Sequence, residues 1–131
     1  MSKYFKYKFK IYYEDTDSGG VVYYANYLKY LERARSEAIY SLGLTNIKLQ
    51  KDYGALIIVK SCNIEYKKPA KFEDELIIIS SILSKTKTSF TMLQIIKKNE
   101  EIISEATVQL VTVNKEGKPI KIPEILNNLL N

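Results

Sequence analysis

Residues 12–39 read YYEDTDSGGVVYYANYLKYLERARSEAI, and this stretch contains the junction around which the fold is organised. An Asp, Ser and Gly cluster at 15–20 separates a segment with a two-residue hydrophobic period from a segment with a helical period. These two periods are typical of a half-buried strand and of a helix with one apolar face. The stretch therefore predicts a strand, a turn and a helix, in that order.

The bounds of this strand and helix follow from the alternation on either side of the cluster. Aromatic and apolar residues alternate with lysines over residues 4–13, which predicts the strand. The helical spacing begins at Tyr24 and ends before Gly43, which occupies the position of a helix-terminating glycine. The residues that this spacing predicts on the buried face of the helix are Tyr24, Leu28, Leu31, Arg35, Ala38 and Leu42.

The rest of the chain predicts a short helix and further strands. The short helix is expected over residues 45–53, closed by Gly54, and Pro123 is expected to open a short C-terminal helix. Because strands joined by short turns pair antiparallel, we predict an α+β domain over residues 1–131, with a sheet of about five strands and one long helix on a sheet face. The four later strands are predicted at 55–66, 75–85, 89–98 and 101–114.

Composition narrows the compartment and the cofactor. The chain has a formal net charge of +5, no histidine and one cysteine, Cys62. A single cysteine forms no internal disulfide, which favours a reducing compartment, and we expect a cytoplasmic protein with Cys62 buried in a strand. The absence of imidazole ligands disfavours zinc, and neither a metal nor a cofactor is predicted. No apolar run is long enough for a membrane-spanning helix, and the N-terminus lacks the apolar segment of a signal peptide.

The positive charge has two interpretations. The lysines form a surface that binds anionic ligands, or they reflect AT-rich coding, which favours lysine. A nucleic-acid-binding face would need lysines and aromatic residues side by side. Lys6 and Lys8 fall on the opposite face of the predicted strand from Phe5 and Tyr7, so no nucleic-acid partner is expected. Along the helix, Glu32 is expected to pair with a neighbouring arginine, Arg33 or Arg35.

The DTDSGG cluster at 15–20 has three interpretations. Asp, Ser and Gly are ordinary turn residues. The DTD triplet resembles the start of a calcium loop, but the downstream glutamate that such a loop needs is missing. In the third interpretation, unpaired N–H groups at the helix N-terminus stabilise an oxyanion while a nearby carboxylate attacks a carbonyl or activates water. These two components suffice for acyl transfer without histidine, most readily with an activated ester such as a thioester.

The stretch at 12–39 also resembles the signature of the hotdog-fold acyl-CoA thioesterases, most closely the Tol-Pal-associated YbgC subfamily, with 4-hydroxybenzoyl-CoA thioesterase as a relative. A second segment, IEYKKPAKFEDELII at 64–78, is similar to a later part of the same family. The resemblance implies a hotdog fold, in which the sheet wraps around the helix, and hydrolysis of acyl-CoA to free acid and CoA. It further implies homodimers or homotetramers with interfacial active sites, and association with envelope or lipid-synthesis proteins.

The resemblance also assigns roles to individual residues. It makes Asp17 the catalytic carboxylate, as nucleophile or as general base, and places the backbone N–H of Tyr24 against the thioester carbonyl. Asp15 and Glu14 are then structural. The residues implied around the substrate are Gly19, Gly20, Tyr23, Asn26, Lys85 and Lys87, and Lys67, Lys68 and Lys71 are further candidates for the CoA nucleotide.

One position departs from the closest subfamily. Many YbgC-like sequences carry a histidine where this chain has Tyr24, although the 4-hydroxybenzoyl-CoA branch carries an aromatic pair there. The substitution preserves a backbone N–H but removes a side-chain proton donor with a pKa of about 7. This departure motivates the alternative function, a non-catalytic hotdog protein that binds acyl-CoA or lipid or serves as a scaffold.

Overall fold

The computed structural model describes residues 3–130 and contains an antiparallel sheet with one long helix against it. Two single 3₁₀ turns lie at Tyr13–Asp15 and Glu124–Leu126. The strands and helices, in chain order, are β1 (Phe5–Lys10), α1 (Asn26–Tyr40), α2 (Asn46–Tyr53), β2 (Leu56–Tyr66), β3 (Glu75–Lys85), β4 (Ser89–Lys98), β5 (Glu101–Val113) and α3 (Asn127–Leu130).

Within the described residues the strands form one five-stranded sheet in the order β1-β3-β4-β5-β2, and every neighbouring pair is antiparallel. Helix α1 covers the β1 and β3 side of one face. Strand β2 is the edge of the sheet farthest from β1. The predicted α+β architecture is therefore confirmed, and β2 is left with little cover from the helix.

The predicted first strand is too long at its C-terminal end. Strand β1 ends at Lys10, and Tyr13, which was predicted on the buried face, is 78% exposed. The chain leaves the sheet at Ile11, whose N–H donates to the backbone oxygen of Asp74 at 3.0 Å. A 3₁₀ turn follows, closed by the N–H of Tyr12 donating to Oδ2 of Asp15 at 2.9 Å. The two-residue period of the sequence continues past Lys10, but tertiary hydrogen bonds redirect the backbone there, so the prediction was too long.

The buried face of α1 is also rotated relative to the prediction. The helix begins at Asn26 rather than Tyr24, and both Tyr24 and Leu28 are exposed. Two aromatic side chains fill the core instead: Tyr30 packs on Phe9 with ring centroids 4.6 Å apart. The full buried set is Tyr27, Tyr30, Leu31, Ala34, Ala38 and Ile39. Large aromatic residues bury more area than the apolar residues beside them, so packing, and not spacing alone, selects the face.

The other predicted elements agree with the structure to within one residue. Helix α2 is capped by the side chain of Thr45, which accepts a hydrogen bond from the N–H of Lys48 at 3.0 Å. Gly54 ends α2 with φ +64, a left-handed conformation that glycine adopts without a steric cost. Pro123 precedes the second 3₁₀ turn, which continues directly into α3.

Two sequence predictions about side chains are wrong. Cys62 is exposed rather than buried, because it lies on β2, which is an edge strand of the sheet. Glu32 forms no ion pair with Arg33 or Arg35 within residues 3–130. Its carboxylate instead accepts a hydrogen bond from the hydroxyl of Ser36 at 3.3 Å.

Candidate active site

The Asp and Gly cluster folds into a tight turn between β1 and α1. The N–H of Asp17 donates to the backbone oxygen of Val21 at 2.9 Å, and the N–H of Gly20 donates to the backbone oxygen of Asp17 at 3.1 Å. Gly20 has φ +80, so glycine suits this corner. An isolated bridge between Thr16 and Val22 closes the turn. Asp17 consequently lies at the tip of a small hairpin.

The carboxylate of Asp17 is oriented by its own turn. Its Oδ1 accepts a hydrogen bond from the N–H of Gly19 at 2.8 Å. A Cβ atom at residue 19 would lie 3.3 Å from that oxygen, so glycine leaves the carboxylate room to adopt this position. Asp17 is exposed, and within residues 3–130 its Oδ2 has no hydrogen-bond partner. One oxygen is therefore fixed, and the other is open to a substrate or to water.

The start of α1 leaves two backbone donors unpaired. The first helical bonds run from the N–H groups of Asn26 and Tyr27 to the oxygens of Tyr23 and Tyr24, at 2.9 and 3.2 Å. Ala25 occupies the cap position and supplies no side-chain acceptor. In the described part of the chain, the N–H groups of Tyr24 and Ala25 have no acceptor. Free donors at a helix N-terminus are suited to an oxygen that develops negative charge.

Asp15 links the turn to the start of the helix. Its backbone oxygen accepts two hydrogen bonds, from the N–H of Tyr23 at 3.1 Å and from Nδ2 of Asn26 at 2.9 Å. Its carboxylate holds the preceding 3₁₀ turn through Tyr12, as described above. These contacts fit the structural role predicted for Asp15. The acceptor that matters most is a backbone oxygen, for which the sequence offers no signal.

A cluster of tyrosines supports the helix start from the side of β2. The hydroxyl of Tyr66 donates to the backbone oxygen of Tyr24 at 3.3 Å, and its ring meets that of Tyr27 edge-on at 5.0 Å. The N–H of Ala70 donates to the hydroxyl oxygen of Tyr27 at 3.2 Å. Burial raises the pKa of both Tyr27 and Tyr66, which moves both phenols further from deprotonation at neutral pH. Neither Tyr27 nor Tyr66 is among the site residues predicted from the sequence.

The KPAKF segment lies directly beside the turn. The N–H of Val22 donates to the backbone oxygen of Ala70 at 2.8 Å, and Val21 forms an isolated bridge with Lys71. Lys71 is thus the predicted basic residue that the fold brings next to the Asp17 turn. Two others are engaged in exposed ion pairs, Lys67 with Glu65 and Glu105, and Lys68 with Glu101.

Lys85 and Lys87 lie far from the turn in the same chain. Lys85 is the last residue of β3. The other end of β3 lies near the turn, because Asp74, the residue before this strand, accepts a hydrogen bond from the N–H of Ile11. Since a strand rises about 3.3 Å per residue, its 11 residues separate the two ends by roughly 30 Å. A single chain therefore does not bring these two lysines to Asp17.

Residues 3–130 contain neither a cluster of metal-ligating side chains nor a helix able to cross a membrane. No group of three or more Cys, Asp or Glu side chains there could hold a metal ion. None of the helices in that range has both the length and the apolar character needed to cross a membrane.

The comparison with known proteins identifies the family. A sequence profile described as the thioesterase-like superfamily matches residues 12–130. The chain belongs to the thioesterase-like superfamily. This assignment confirms the predicted relationship to hotdog-fold thioesterases, and residues 12–130 contain both segments on which the resemblance rested.

Individual members of the thioesterase-like superfamily resemble this chain over most of their length. The acyl-CoA thioesterase YbgC of Haemophilus influenzae is 34% identical over 121 residues, which cover 92% of this chain and 89% of that protein. The acyl-CoA thioester hydrolase YbgC of an Escherichia coli strain is 35% identical, with 92% and 90% covered. The crystal structure of a probable thioesterase from Bartonella henselae superposes with a TM-score of 0.87 at 32% identity, covering 92% of this chain and 100% of that one. The hotdog fold is thereby confirmed.

Proposed function

We propose that this protein hydrolyses acyl-CoA thioesters, with the carboxylate of Asp17 and the backbone N–H of Tyr24 as the reacting groups. The observation that carries the proposal is the link through Asp15, which fixes an oriented, exposed carboxylate beside a helix start with unpaired donors. The superfamily and the relatives named as acyl-CoA thioesterases support the same chemistry.

The thioester carbonyl oxygen accepts from the N–H of Tyr24, which stabilises the negative charge that develops during attack. Two routes are open to Asp17. It attacks the carbonyl carbon, the C–S bond breaks, CoA leaves as thiolate and takes a proton from water, and water then hydrolyses the mixed anhydride. Alternatively, Asp17 removes a proton from a water molecule that attacks the carbonyl carbon directly. Because a thiol is a good leaving group, neither route needs the histidine that Tyr24 replaces.

A single turnover in H₂¹⁸O tests the nucleophilic route. If Asp17 is the nucleophile and water attacks the Asp17 carboxyl carbon of the mixed anhydride, the first equivalent of acid carries no label and Asp17 gains ¹⁸O. Label in the acid and none in Asp17 is the result for a general base, and equally for an anhydride that water opens at the acyl carbon. Mass spectrometry of the released acid and of the peptide that contains Asp17 measures both.

The remaining predicted residues receive positioning and binding roles in this proposal. Gly19 and Gly20 shape the turn, and Tyr23 and Asn26 hold it through Asp15. Three lysines contact the CoA phosphates in this proposal. Lys71 lies beside the turn, and Lys85 and Lys87 come from a second subunit. An ammonium group is a suitable point charge for a phosphate.

We further propose that the protein is a homodimer that pairs through β2, so that each active site lies near the partner chain. Strand β2 is an 11-residue edge, and its Ile58 is 45% exposed. The opposite edge, β1, is only six residues long and carries exposed lysines, features that discourage pairing. The family resemblance suggests that two such dimers associate into a tetramer. The single cysteine fits a cytoplasmic protein, and envelope or lipid-synthesis proteins are the partners that the resemblance suggests.

The test is a thiol-release assay with a panel of acyl-CoA substrates from acetyl to decanoyl, with an aromatic acyl-CoA added. The proposal expects turnover that is linear in enzyme concentration and exceeds buffer hydrolysis for at least one substrate. Calorimetric titration with the same compounds measures binding in parallel. Binding without thiol release would contradict the proposal and support the non-catalytic hotdog alternative.

A further inference from the structure

The hydroxyl of Tyr30 is a buried polar group without a hydrogen bond. Tyr30 is 2% exposed, and its ring packs against Phe9 with centroids 4.6 Å apart. Within residues 3–130 its hydroxyl has no hydrogen-bond partner. Buried hydroxyls are normally bonded, because an unpaired one retains the full cost of leaving water. A phenylalanine would make the same ring contact, so core packing alone does not account for this oxygen.

The groups around the Tyr30 phenol include one carboxylate. Burial raises the pKa of the phenol, and the Asp15 carboxylate raises it further, first by its charge and then as an acceptor. The guanidinium of Arg33 lowers the same pKa, but it has only donors. The hydroxyl oxygen of Tyr27 is already engaged, since it accepts from the N–H of Ala70 at 3.2 Å. Asp15 is therefore the acceptor best suited to the Tyr30 hydroxyl.

The carboxylate of Asp15 has an oxygen available for this hydroxyl. Its Oδ2 accepts from the N–H of Tyr12 at 2.9 Å, whereas in the described part of the chain its Oδ1 accepts no hydrogen bond. The Tyr30 hydroxyl and the Asp15 carboxylate are close enough to act on each other, yet they fall outside ordinary hydrogen-bond geometry. Donor and acceptor are thus both in place, and only their final approach is missing.

A bond between these two groups would attach Asp15 to α1 at a second point. Asn26 and Tyr30 are four residues apart on α1, so they share one face of the helix. The existing bonds to the helix start, from Nδ2 of Asn26 and from the N–H of Tyr23, converge on one atom, the backbone oxygen of Asp15. Attachment at one atom leaves the orientation of a residue free to change, whereas a second attachment one helical turn away fixes it.

We propose that Tyr30 is a positioning residue for the thioesterase reaction. Its hydroxyl donates to Oδ1 of Asp15, and this second attachment fixes the orientation of the Asp17 turn relative to the N–H of Tyr24. The inference rests on the proposed function and adds to it a residue that contacts neither the substrate nor the reacting atoms. The hydroxyl gives up no proton and acts only by holding Asp15.

The first test is Tyr30→Phe, which removes one oxygen and keeps the ring against Phe9. We expect kcat for butyryl-CoA to fall by about tenfold, within the range that a misplacement of about 1 Å produces. KM should stay unchanged, because the groups that contact the substrate are all retained. Tyr40→Phe is the matched control on the same helix, at a tyrosine that is 47% exposed, and it should leave both constants unchanged.

The stability of Tyr30→Phe gives a second readout, in which the sign of the change is informative. If the hydroxyl bonds Asp15, the variant loses a buried hydrogen bond and its urea midpoint of unfolding falls. If the hydroxyl is unpaired, the variant removes an unsatisfied polar group and the midpoint is unchanged or rises. Either an unchanged kcat or a midpoint that does not fall would contradict the proposal.

A double-mutant cycle assigns the effect to Asp15. Asp15→Ala removes the carboxylate but keeps the backbone oxygen that Asn26 and Tyr23 bond. In this background we expect Tyr30→Phe to cause no further fall in the urea midpoint, because the acceptor is gone. Equal falls in the two backgrounds would show that Tyr30 does not act through Asp15. The midpoint needs no activity, so a wild type that hydrolyses no acyl-CoA would contradict the proposed function while the cycle still tests the contact.

Discussion

The side-chain amide of Asn26 donates a hydrogen bond to the backbone oxygen of Asp15 at 2.9 Å, so the first residue of α1 holds the turn that carries Asp17. The same oxygen accepts from the N–H of Tyr23. Two groups proposed for catalysis, a carboxylate on a hairpin and an N–H at a helix start, are thereby fixed relative to each other by one backbone acceptor.

Replacing Asn26 by Asp keeps the size of the side chain and removes the donor that holds Asp15. We expect kcat for butyryl-CoA to fall by roughly 10- to 100-fold, the range that a misplacement of about 1 Å produces. Stability should fall modestly, because the new carboxylate repels the Asp15 carbonyl oxygen, and the favourable effect of a negative charge in the first turn of a helix offsets only part of this loss. Thiol release and thermal unfolding measure the two effects separately.

Asn46→Asp is the matched control. Asn46 is the first residue of α2, so this variant carries the same substitution at the same helical position. This control should keep kcat near that of the wild type. A fall in kcat that is equal in both variants, or one that merely tracks a loss of stability in Asn26→Asp, would contradict the positioning role of the Asn26–Asp15 bond.

Local signals in the sequence account for the elements that were predicted well. Helix α2 has a Thr45 side-chain cap at one end and Gly54 at the other, and both act through bonds within the same turn of helix. Strand β4 alternates regularly between buried and less buried residues, and short turns connect β3 to β4 and β4 to β5. Such features depend on neighbouring residues only, so spacing and residue type predict them.

The errors concern properties that depend on the whole fold. The exposure of Cys62 follows from the position of β2 at the sheet edge, which no local pattern encodes. The rotation of α1 follows from the packing of Tyr30 against Phe9, a contact between separate elements. At the candidate site, the resemblance points to Asp17 and Tyr24, whose catalytic roles stay predictions, whereas the hydrogen bonds of Tyr66 and of the Asp15 backbone oxygen are visible only in the tertiary structure.

The thiol of Cys62 on β2 is expected to report on the charge of Arg35 on α1. Although Cys62 is exposed, the protein around its thiol partly desolvates it and raises its pKa, and the Arg35 cation partly offsets that rise by favouring the thiolate. Removing the cation in Arg35→Gln should therefore move the pKa of Cys62 further upward. The rate of iodoacetamide alkylation, followed by intact mass against pH, measures this shift because the chain has one cysteine.

Arg33→Gln serves as the control for that titration, since it makes the same charge change on the exposed side of α1. Its alkylation profile should overlay that of the wild type. A downward shift in Arg35→Gln, or equal shifts in the two variants, would show that Arg35 and Cys62 do not face each other in solution.

The proposed pairing of subunits through β2 predicts a specific sensitivity of the dimer. Ile58→Lys places a charge on the exposed β2 edge, and we expect the dimer dissociation constant to rise by at least about tenfold, as loss of a buried apolar contact and charge repulsion both oppose pairing. Analytical ultracentrifugation over a concentration series measures the change.

Ile47→Lys makes the same substitution at an exposed isoleucine of α2 and should leave dissociation unaffected. Equal effects of the two substitutions would place the subunit contact elsewhere. A wild-type protein that is monomeric at all concentrations would contradict the proposed dimer.

The central claim is that the Asp17 carboxylate carries out the hydrolysis, and the most direct measurement is CoA release by Asp17→Asn beside Asp52→Asn. The second variant removes one negative charge from an exposed position on α2. We expect Asp17→Asn to lose at least about a thousandfold in kcat, in line with removal of a nucleophile or general base, while its fold and mass in solution are retained. Asp52→Asn should match the wild type. Turnover by Asp17→Asn that equals turnover by Asp52→Asn would contradict the account.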